Sequence, residues 1–174
     1  MTLLDRVRFL LADQGVAHAL IGAAALAVHG VSRATLDQDL LVTDQRVLAT
    51  AFWVSLGAGA GVDVRVGDTD DPLAGVVRIT FPLDRDVDIV VGRQPCQAAI
   101  LARILHVGAQ QLPVVRAADL VLLKLYAGGS QDRWDIEQLL ALHPSGLANV
   151  VDEHVTALPA RSRALWETLR PNRG

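Results

Sequence analysis

The sequence predicts an α+β fold with a sheet-containing front half and a helical back half. Segments with the alternating polarity of strands lie between residues 16 and 91 and are interleaved with helical segments. After Pro95 the apolar residues recur mainly at helical spacing. Hydrophobic residues make up 51% of the 174 residues, so the chain can bury the core of one domain, or of one small domain with a helical appendix.

Helices and strands alternate in the first third of the chain. In order, the pattern predicts a helix that ends before Gly15, a strand over 16–21, a helix over 23–29, a strand over 35–42 and a helix over 45–56. Gly22 separates the first strand from the second helix, so this part runs strand, glycine turn, helix.

Strands then give way to helices. The pattern predicts strands over 62–66, 76–81 and 86–91, followed by helices over 97–105, 117–126, 131–142, 147–158 and 161–169. Residues 107–115 are mixed in character, with room for a short strand. We therefore expect a core over 1–115 and a helical C-terminal part over 116–174 packed on it, unless the two form one single domain.

The composition excludes several kinds of protein. The formal net charge of −3 and the pI near 5.9 leave no global basic excess, and the arginines at 161, 163, 170 and 173 fit a solvated helix end or a local basic patch. Cys96 is the only cysteine, which excludes a disulfide framework or a cysteine zinc site within one chain. Because no signal peptide or membrane-spanning run is recognisable, the sequence predicts a cytoplasmic protein with no membrane partner.

Three aspartates form the main candidate site. Alternation along residues 35–42 places Asp37 and Asp39 on one face of a strand, and Asp88 lies at a similar place on a later strand. If these strands are neighbours, three carboxylates meet, and each raises the pKa of the others. A divalent cation such as Mg²⁺ (or Mn²⁺) would relieve this repulsion and would also bind the phosphate oxygens of a substrate.

Two of these features have plainer explanations. The plainer explanation of Asp88, or of its neighbour Asp86, is that it caps a turn or pairs with Arg78 or Arg85. Gly22 precedes a helix whose first backbone N–H groups suit phosphate oxygens, but an ordinary tight turn also explains a glycine there.

Further charged residues have more than one interpretation. Arg33 precedes the carboxylate strand and either neutralises phosphate or pairs with Asp37 or a neighbour. Lys124 lies on an otherwise apolar helix face, so its ammonium group either reaches solvent or points at a buried anion. Asp132 and Asp135 lie on the next helix as exposed charges, as an N-terminal cap, or as partners that hold Lys124 and Arg133.

Four segments resemble the minimal nucleotidyltransferases related to AbiEii-type abortive-infection toxins. Residues 21–40 contain a glycine turn, a helix that ends in His-Gly, an arginine, a threonine and Asp-x-Asp, similar to the first motif of that family. Residues 87–90 resemble its third-carboxylate strand, 116–127 its lysine helix and 131–136 the aspartate helix that follows. The resemblance covers roughly residues 16–142, with the four segments in the correct order.

The resemblance implies a nucleotidyltransferase-like fold, which is a small mixed β-sheet flanked by helices, here with a helical C-terminal part. It implies that Asp37, Asp39 and Asp88 are catalytic and bind the metal ion, with Asp88 as the candidate base for the attacking hydroxyl. The residues that would contact the nucleoside triphosphate are Gly22, Ala23, Arg33, Lys124 and Asp132.

The implied reaction is the metal-dependent transfer of a nucleoside monophosphate from a triphosphate to a hydroxyl acceptor, either RNA, a protein side chain or a small molecule. The related toxins add the expectation of a toxin–antitoxin pair with a cognate partner. Two residues depart from the family pattern, because Ala23 replaces a second glycine and Gln38 replaces an apolar residue inside Asp-x-Asp. The alternative is a catalytically inactive nucleotidyltransferase-like module that binds a nucleotide or a partner.

Overall fold

One mixed sheet of seven strands organises the part of the chain that the computed structural model describes, residues 1–33 and 38–171. In chain order the strands are β1 (His18–Ile21), β2 (Gln38–Val42), β3 (Gly61–Val66), β4 (Leu73–Thr80), β5 (Val87–Gly92), β6 (Leu105–Val107) and β7 (Leu112–Val114). Their order across the sheet is β3-β4-β5-β2-β1-β7-β6. The pairs β2–β5 and β1–β7 are parallel and the other pairs are antiparallel. The predicted α+β class with a mixed sheet is therefore confirmed.

Helices flank this sheet. They are α1 (Leu3–Asp13), α2 (Gly22–Val28), α3 (Pro95–Leu101), α4 (Ala117–Ala127), α5 (Ser130–Leu142), α6 (Leu147–His154) and α7 (Ala160–Leu169). Short 3-10 helices span Gln45–Leu48, Thr50–Leu56 and Val155–Ala157, the last of which follows α6 where one helix over 147–158 was predicted. Within the described residues, no helix is long and apolar enough to cross a bilayer.

Periodicity predicted the core faces well. In β5, Val87, Ile89 and Val91 are fully buried, whereas Asp88 points to the other face of the sheet. This alternation is what a strand packed on one side requires. In α1 the buried residues recur at helical spacing, and Thr2 starts the helix with a capping box that includes Asp5.

The helix predicted over 45–56 is not continuous. Ala49 has extended backbone (φ −85°, ψ 123°) and separates two 3-10 helices. The indole N–H of Trp53 donates to the carbonyl of Val47 at 2.7 Å. In an α-helix that carbonyl would accept from the backbone four residues later, so a side chain takes the place of a helical hydrogen bond.

The helix predicted over 97–105 ends earlier, at Leu101. Leu105 lies instead in β6, where it pairs with Val114 of β7. The chain reverses between these two strands at a turn that contains Gly108 with φ +71°, which glycine adopts without strain. Antiparallel pairing across this turn therefore outweighs the helical tendency of the preceding residues.

The helical part packs on the sheet. Side chains of β2, β5, α4 and α7, among them Leu40, Ile89, Val121 and Trp166, belong to one hydrophobic core. The helix α4 contacts α2, α5, α6 and α7. A division of the chain at residue 115 stays a prediction.

Candidate active site

The turn between β1 and α2 brings the backbone close to a carboxylate. Gly22 has φ +61°, a conformation that L-residues rarely adopt, and it follows the last residue of β1, Ile21. A Cβ atom built on Gly22 would lie 2.1 Å from Oδ2 of Asp39. Backbone angle and contact both require glycine here, so the predicted glycine turn and the predicted carboxylate strand meet.

The sheet register aligns charged residues across four strands. Asp39 of β2 pairs with Asp88 of β5, which pairs with Arg78 of β4, and Arg78 pairs with Asp63 of β3. Paired residues of neighbouring strands point to the same face, so these four side chains form one line, here called the carboxylate row. The predicted neighbourhood of the two carboxylate strands is confirmed by the parallel pairing of β2 and β5.

An arginine already binds the carboxylate of Asp88. Nε of Arg78 donates to Oδ1 of Asp88 at 2.8 Å, and Nη2 donates to Oδ2 at 2.6 Å. A bidentate pair of this kind fixes the plane of the carboxylate. The pairing of Asp88 with Arg78 is the plainer of the two explanations that the sequence left open. Pairing with Arg78 is compatible with Asp88 as a metal ligand, because a carboxylate oxygen that accepts one hydrogen bond keeps a second lone pair.

The donors of the row suit a hard divalent cation. Asp39 and Asp88 supply carboxylate oxygens from neighbouring strands, which is the donor type that Mg²⁺ and Mn²⁺ prefer. Within residues 1–33 and 38–171, no three histidine, cysteine, aspartate or glutamate side chains lie close enough to hold a metal ion. Asp37, which the sequence pairs with Asp39 as a metal ligand, lies outside the described residues. A two-carboxylate set still fits an ion that takes its other ligands from water and phosphate.

The first residues of α2 surround the glycine turn. Ala23 is buried next to Gly22, and no side chain in the described part of the chain caps the helix. Backbone N–H groups of this first turn therefore remain as donors for an anion. The departure of Ala23 from the family pattern removes no backbone donor, because alanine retains its N–H.

Lys124 points at carboxylates inside the protein, which is the second of the two interpretations that its sequence position allowed. Its ammonium nitrogen lies 3.0 Å from Oδ1 of Asp132 and 2.5 Å from Oδ2 of Asp135. Asp132 also accepts a hydrogen bond from the backbone N–H of Gly129 and so caps α5. The lysine predicted to contact the triphosphate is held here by two carboxylates of the chain itself.

Arg33 joins the same group of charges. Its Nη1 donates to Oδ2 of Asp135 at 2.9 Å, so Asp135 receives two cations. We call Arg33, Lys124, Asp132 and Asp135 the buried cluster. The cluster thus joins the loop after α2 to the helices α4 and α5.

The predicted site residues thus fall into two groups. The glycine turn, Asp39 and Asp88 meet on the sheet, whereas Arg33, Lys124 and Asp132 meet between the loop after α2 and the helices α4 and α5. The sequence considered Arg78 only as a possible partner of Asp88, and its alternation with the buried Val77 and Ile79 is the signal that places it on the carboxylate face. The roles assigned to these residues stay predictions.

Comparison with solved structures shows that the chain has the fold of nucleotidyltransferases. The chain is similar to the antibiotic-resistance factor ANT(2'')-Ia, with a TM-score of 0.57 at 17% identity over 95% of this chain and 94% of that one. It is also similar to an antigenic nucleotidyltransferase-like protein from Paracoccidioides brasiliensis, with a TM-score of 0.49 at 17% identity over 89% and 86% of the two chains. The lincosamide antibiotic adenylyltransferase LnuA, with lincomycin bound, gives a TM-score of 0.48 at 13% identity over 80% and 95%. No family model and no curated protein matches the sequence.

Proposed function

We propose that the chain is a metal-dependent nucleotidyltransferase that moves a nucleoside monophosphate from a nucleoside triphosphate to a hydroxyl acceptor. The observation that carries this proposal is the meeting of three features at one place on the sheet: the glycine turn, Asp39 against it, and Asp88 in register beside Asp39. The nucleotidyltransferase fold of the chain supports it.

The roles of the residues follow from this placement. Asp39 and Asp88, together with Asp37, would hold Mg²⁺ or Mn²⁺, which supplies positive charge to the phosphates of the substrate. The backbone N–H groups at Gly22 and Ala23 donate to phosphate oxygens. Asp88 accepts the proton of the acceptor hydroxyl, whose oxygen attacks the α-phosphorus while pyrophosphate leaves.

The buried cluster supports this chemistry indirectly. Lys124 is paired with Asp132 and Asp135, so it reaches a phosphate only if substrate binding displaces one of these carboxylates. Arg33 is likewise paired, with Asp135. We propose that Arg33, Lys124 and Asp132 position the segment before β2 and contact the nucleotide only through such an exchange of partners.

A specific observation favours a second candidate function. Because Arg78 binds both oxygens of Asp88, the chain itself supplies a cation where the active enzyme would use a metal ion. A catalytically inactive nucleotidyltransferase-like module that binds a nucleotide or a protein partner would retain this arrangement. A relation to AbiEii-type toxins, with a cognate toxin or antitoxin, is proposed for either function, whereas RNA, a protein side chain or a small molecule as acceptor belongs to the enzyme alone.

Two measurements on the purified full chain test the first function. Calorimetry with a non-hydrolysable triphosphate and Mg²⁺ measures substrate binding, and incubation with each α-labelled triphosphate in cell extract measures transfer. We expect Asp39→Asn to lower transfer by at least about 100-fold, equivalent to about 2.7 kcal/mol in activation free energy. The matched control is Asp13→Asn, an exposed aspartate at the end of α1, which should transfer like the wild type.

The outcomes separate the candidates. Labelling that is equal for the wild type and Asp39→Asn contradicts the enzyme. Triphosphate binding without any labelled product supports the nucleotide-binding module. Absence of both binding and transfer contradicts the enzyme and leaves the partner-binding module.

A further inference from the structure

A second concave site lies between α1 and the hairpin of β6 and β7. It is a cleft of about 860 Å³ whose walls are mostly apolar, with Phe9 and Ala12 of α1 on one side and Ile104 and Pro113 on the other. Pockets for small molecules typically have volumes of about 300–1,000 Å³ and apolar walls with a few polar groups. The side chain of Phe9 is 66% exposed, so an apolar ring at this cleft faces water.

The cleft is separate from the carboxylates. His18, the first residue of β1, borders the cleft, whereas Ile21, the last residue of β1, pairs with Asp39. The rise along these residues is about 10 Å. The cleft also lies on the β7 side of β1, and the carboxylate row lies on the β2 side. A molecule in the cleft is therefore not the acceptor of the proposed transfer.

The cleft contains Arg8, whose positive charge is only weakly balanced by neighbouring acceptors. Arg8 reaches the carbonyl of Gln111 only at 3.4 Å and Oδ1 of Asp5 only at 3.8 Å. Oδ2 of Asp5 is already engaged by the backbone N–H and the hydroxyl of Thr2. Nε of Arg8 is buried and finds no acceptor among the described residues. Burial lowers the pKa of Arg8, and the attraction of Asp5 opposes this only in part.

His18 adds a second polar group. Its Nδ1 lies 2.9 Å from the carbonyl of Val16, and a ring nitrogen facing a carbonyl is the donor. Burial lowers the pKa of His18, which favours the neutral ring. In that tautomer Nε2 is an acceptor and can receive a hydrogen bond from a hydroxyl or N–H group of a ligand.

We propose that this cleft binds a small amphipathic carboxylate, with the carboxylate on Arg8 and an apolar body against the walls. A small inorganic anion would leave the apolar walls in contact with water, and an uncharged apolar ligand would cover the guanidinium without supplying an acceptor. A carboxylate with an apolar body satisfies both parts of the cleft. The proposal does not depend on transfer activity, since its readout is binding.

Three matched ligands test it on the purified full chain by calorimetry. Octanoate carries both features, octanol lacks the charge and acetate lacks the apolar body. We expect octanoate to bind with a Kd below about 1 mM, and octanol and acetate to bind at least about tenfold more weakly. Equal affinity for octanoate and octanol, or no binding of octanoate, overturns the proposal.

Two variants locate the site. Arg8→Gln should weaken octanoate about tenfold and leave octanol unchanged. The control Arg163→Gln, an exposed arginine on α7, should change neither ligand. Ala12→Trp fills the cleft from an exposed position of α1, should abolish octanoate binding, and keeps the test valid if Arg8→Gln unfolds. Unchanged octanoate binding in Ala12→Trp, or a dimer in sedimentation that this variant dissociates, contradicts a ligand site.

Discussion

The carboxylate row and the buried cluster use the same kinds of side chain, but their central ion pairs differ in how far water reaches them. In the row, the side chains of Arg78 and Asp88 are 45% and 14% exposed. In the cluster, the side chains of Lys124 and Asp135 are 8% and 0% exposed. Both pairs are short, 2.6 Å for Arg78–Asp88 and 2.5 Å for Lys124–Asp135, so the difference between them is access to water rather than distance.

Access to water decides what each group can do. A buried charge that loses its partner keeps the full penalty of desolvation, so the buried cluster holds one arrangement. An exposed pair is worth little and can exchange a partner for water, a metal ion or a phosphate. The comparison agrees with the proposal that places the chemistry in the carboxylate row, and it favours a structural contribution from the buried cluster.

The largest expected effect is a loss of stability, and it compares the same substitution, aspartate to asparagine, in the buried cluster and in the carboxylate row. Asp135→Asn removes the buried negative charge that Arg33 and Lys124 share, and we expect it to lower the free energy of unfolding by about 3–5 kcal/mol. Asp88→Asn should lower it by about 1 kcal/mol or less, because Arg78 is half exposed. Urea denaturation followed by circular dichroism measures both. Equal losses of unfolding free energy would show that the carboxylate row contributes as much to stability as the buried cluster.

A smaller effect tests the contact between the glycine turn and the row. Gly22→Ala meets both a left-handed φ of +61° and the Asp39 carboxylate, whereas Gly15→Ala meets a similar φ of +67° in open space. We expect about 1–2 kcal/mol of destabilisation for Gly15→Ala and more for Gly22→Ala.

A double-mutant cycle isolates the contact. In an Asp39→Ala background the carboxylate is absent and only the Cβ of residue 39, at 3.3 Å, remains close. Gly22→Ala should then cost little more than Gly15→Ala, about 1–2 kcal/mol. If Gly22→Ala costs the same with and without Asp39, the carboxylate does not lie on the turn. The same variants measured for Mg²⁺-triphosphate binding show whether the turn is needed for the nucleotide.

Local sequence patterns predicted the parts of the site that depend on one strand or one turn. The alternation of Val87, Ile89 and Val91 placed Asp88 on the free face, and the glycine between a strand and a helix placed the turn. Both signals lie within a few residues of the chain. The mixed sheet followed from the resemblance rather than from periodicity, because pairing partners are not visible in a single strand.

Contacts between distant segments were not predictable in the same way. Arg78 meets Asp88 because β4 and β5 pair with one particular register, and a shift of one residue would send the arginine to the other face. For Asp135 the sequence left open an exposed charge, an N-terminal cap or a partner of Lys124, and the packing of α4 against α5 decides for the partner. The broken helix at Ala49 likewise depends on the indole of Trp53.

A third prediction asks whether Arg78 competes with a metal ion. If Mn²⁺ binds at Asp39 and Asp88, Arg78→Gln removes a positive charge beside it and should tighten Mn²⁺ binding by at least about tenfold. This is the effect of one charge about 6 Å from a divalent ion at the dielectric constant of water, about 80. Arg65→Gln is the control, since Arg65 lies on β3, is mostly exposed and pairs with Asp63. Electron paramagnetic resonance of free Mn²⁺ measures both. Weaker binding in Arg78→Gln would mean that the arginine positions Asp88 for the metal ion.

The smallest expected effect concerns a single buried group far from both regions. Burial lowers the pKa of His18 below its ordinary 6.5, a nearby Arg8 lowers it further, and the hydrogen bond to Val16 opposes both. The unfolded chain then binds more protons than the folded chain between the folded pKa and 6.5, so the stability that neutral His18 contributes is complete above 6.5 and falls as the pH is lowered through this window.

Comparison with His18→Gln isolates this contribution, because the glutamine does not titrate while all other groups remain. The free energy of unfolding of the wild type, relative to the variant, should decrease as the pH is lowered from about 7.5 to about 5.5. The exposed His106 provides the control, and His106→Gln should follow the wild type over the same range. A difference that stays constant would place His18 in water in the folded state. A difference that increases toward low pH would mean that a carboxylate stabilises the charged form of His18, as Asp135 stabilises Lys124 in the buried cluster.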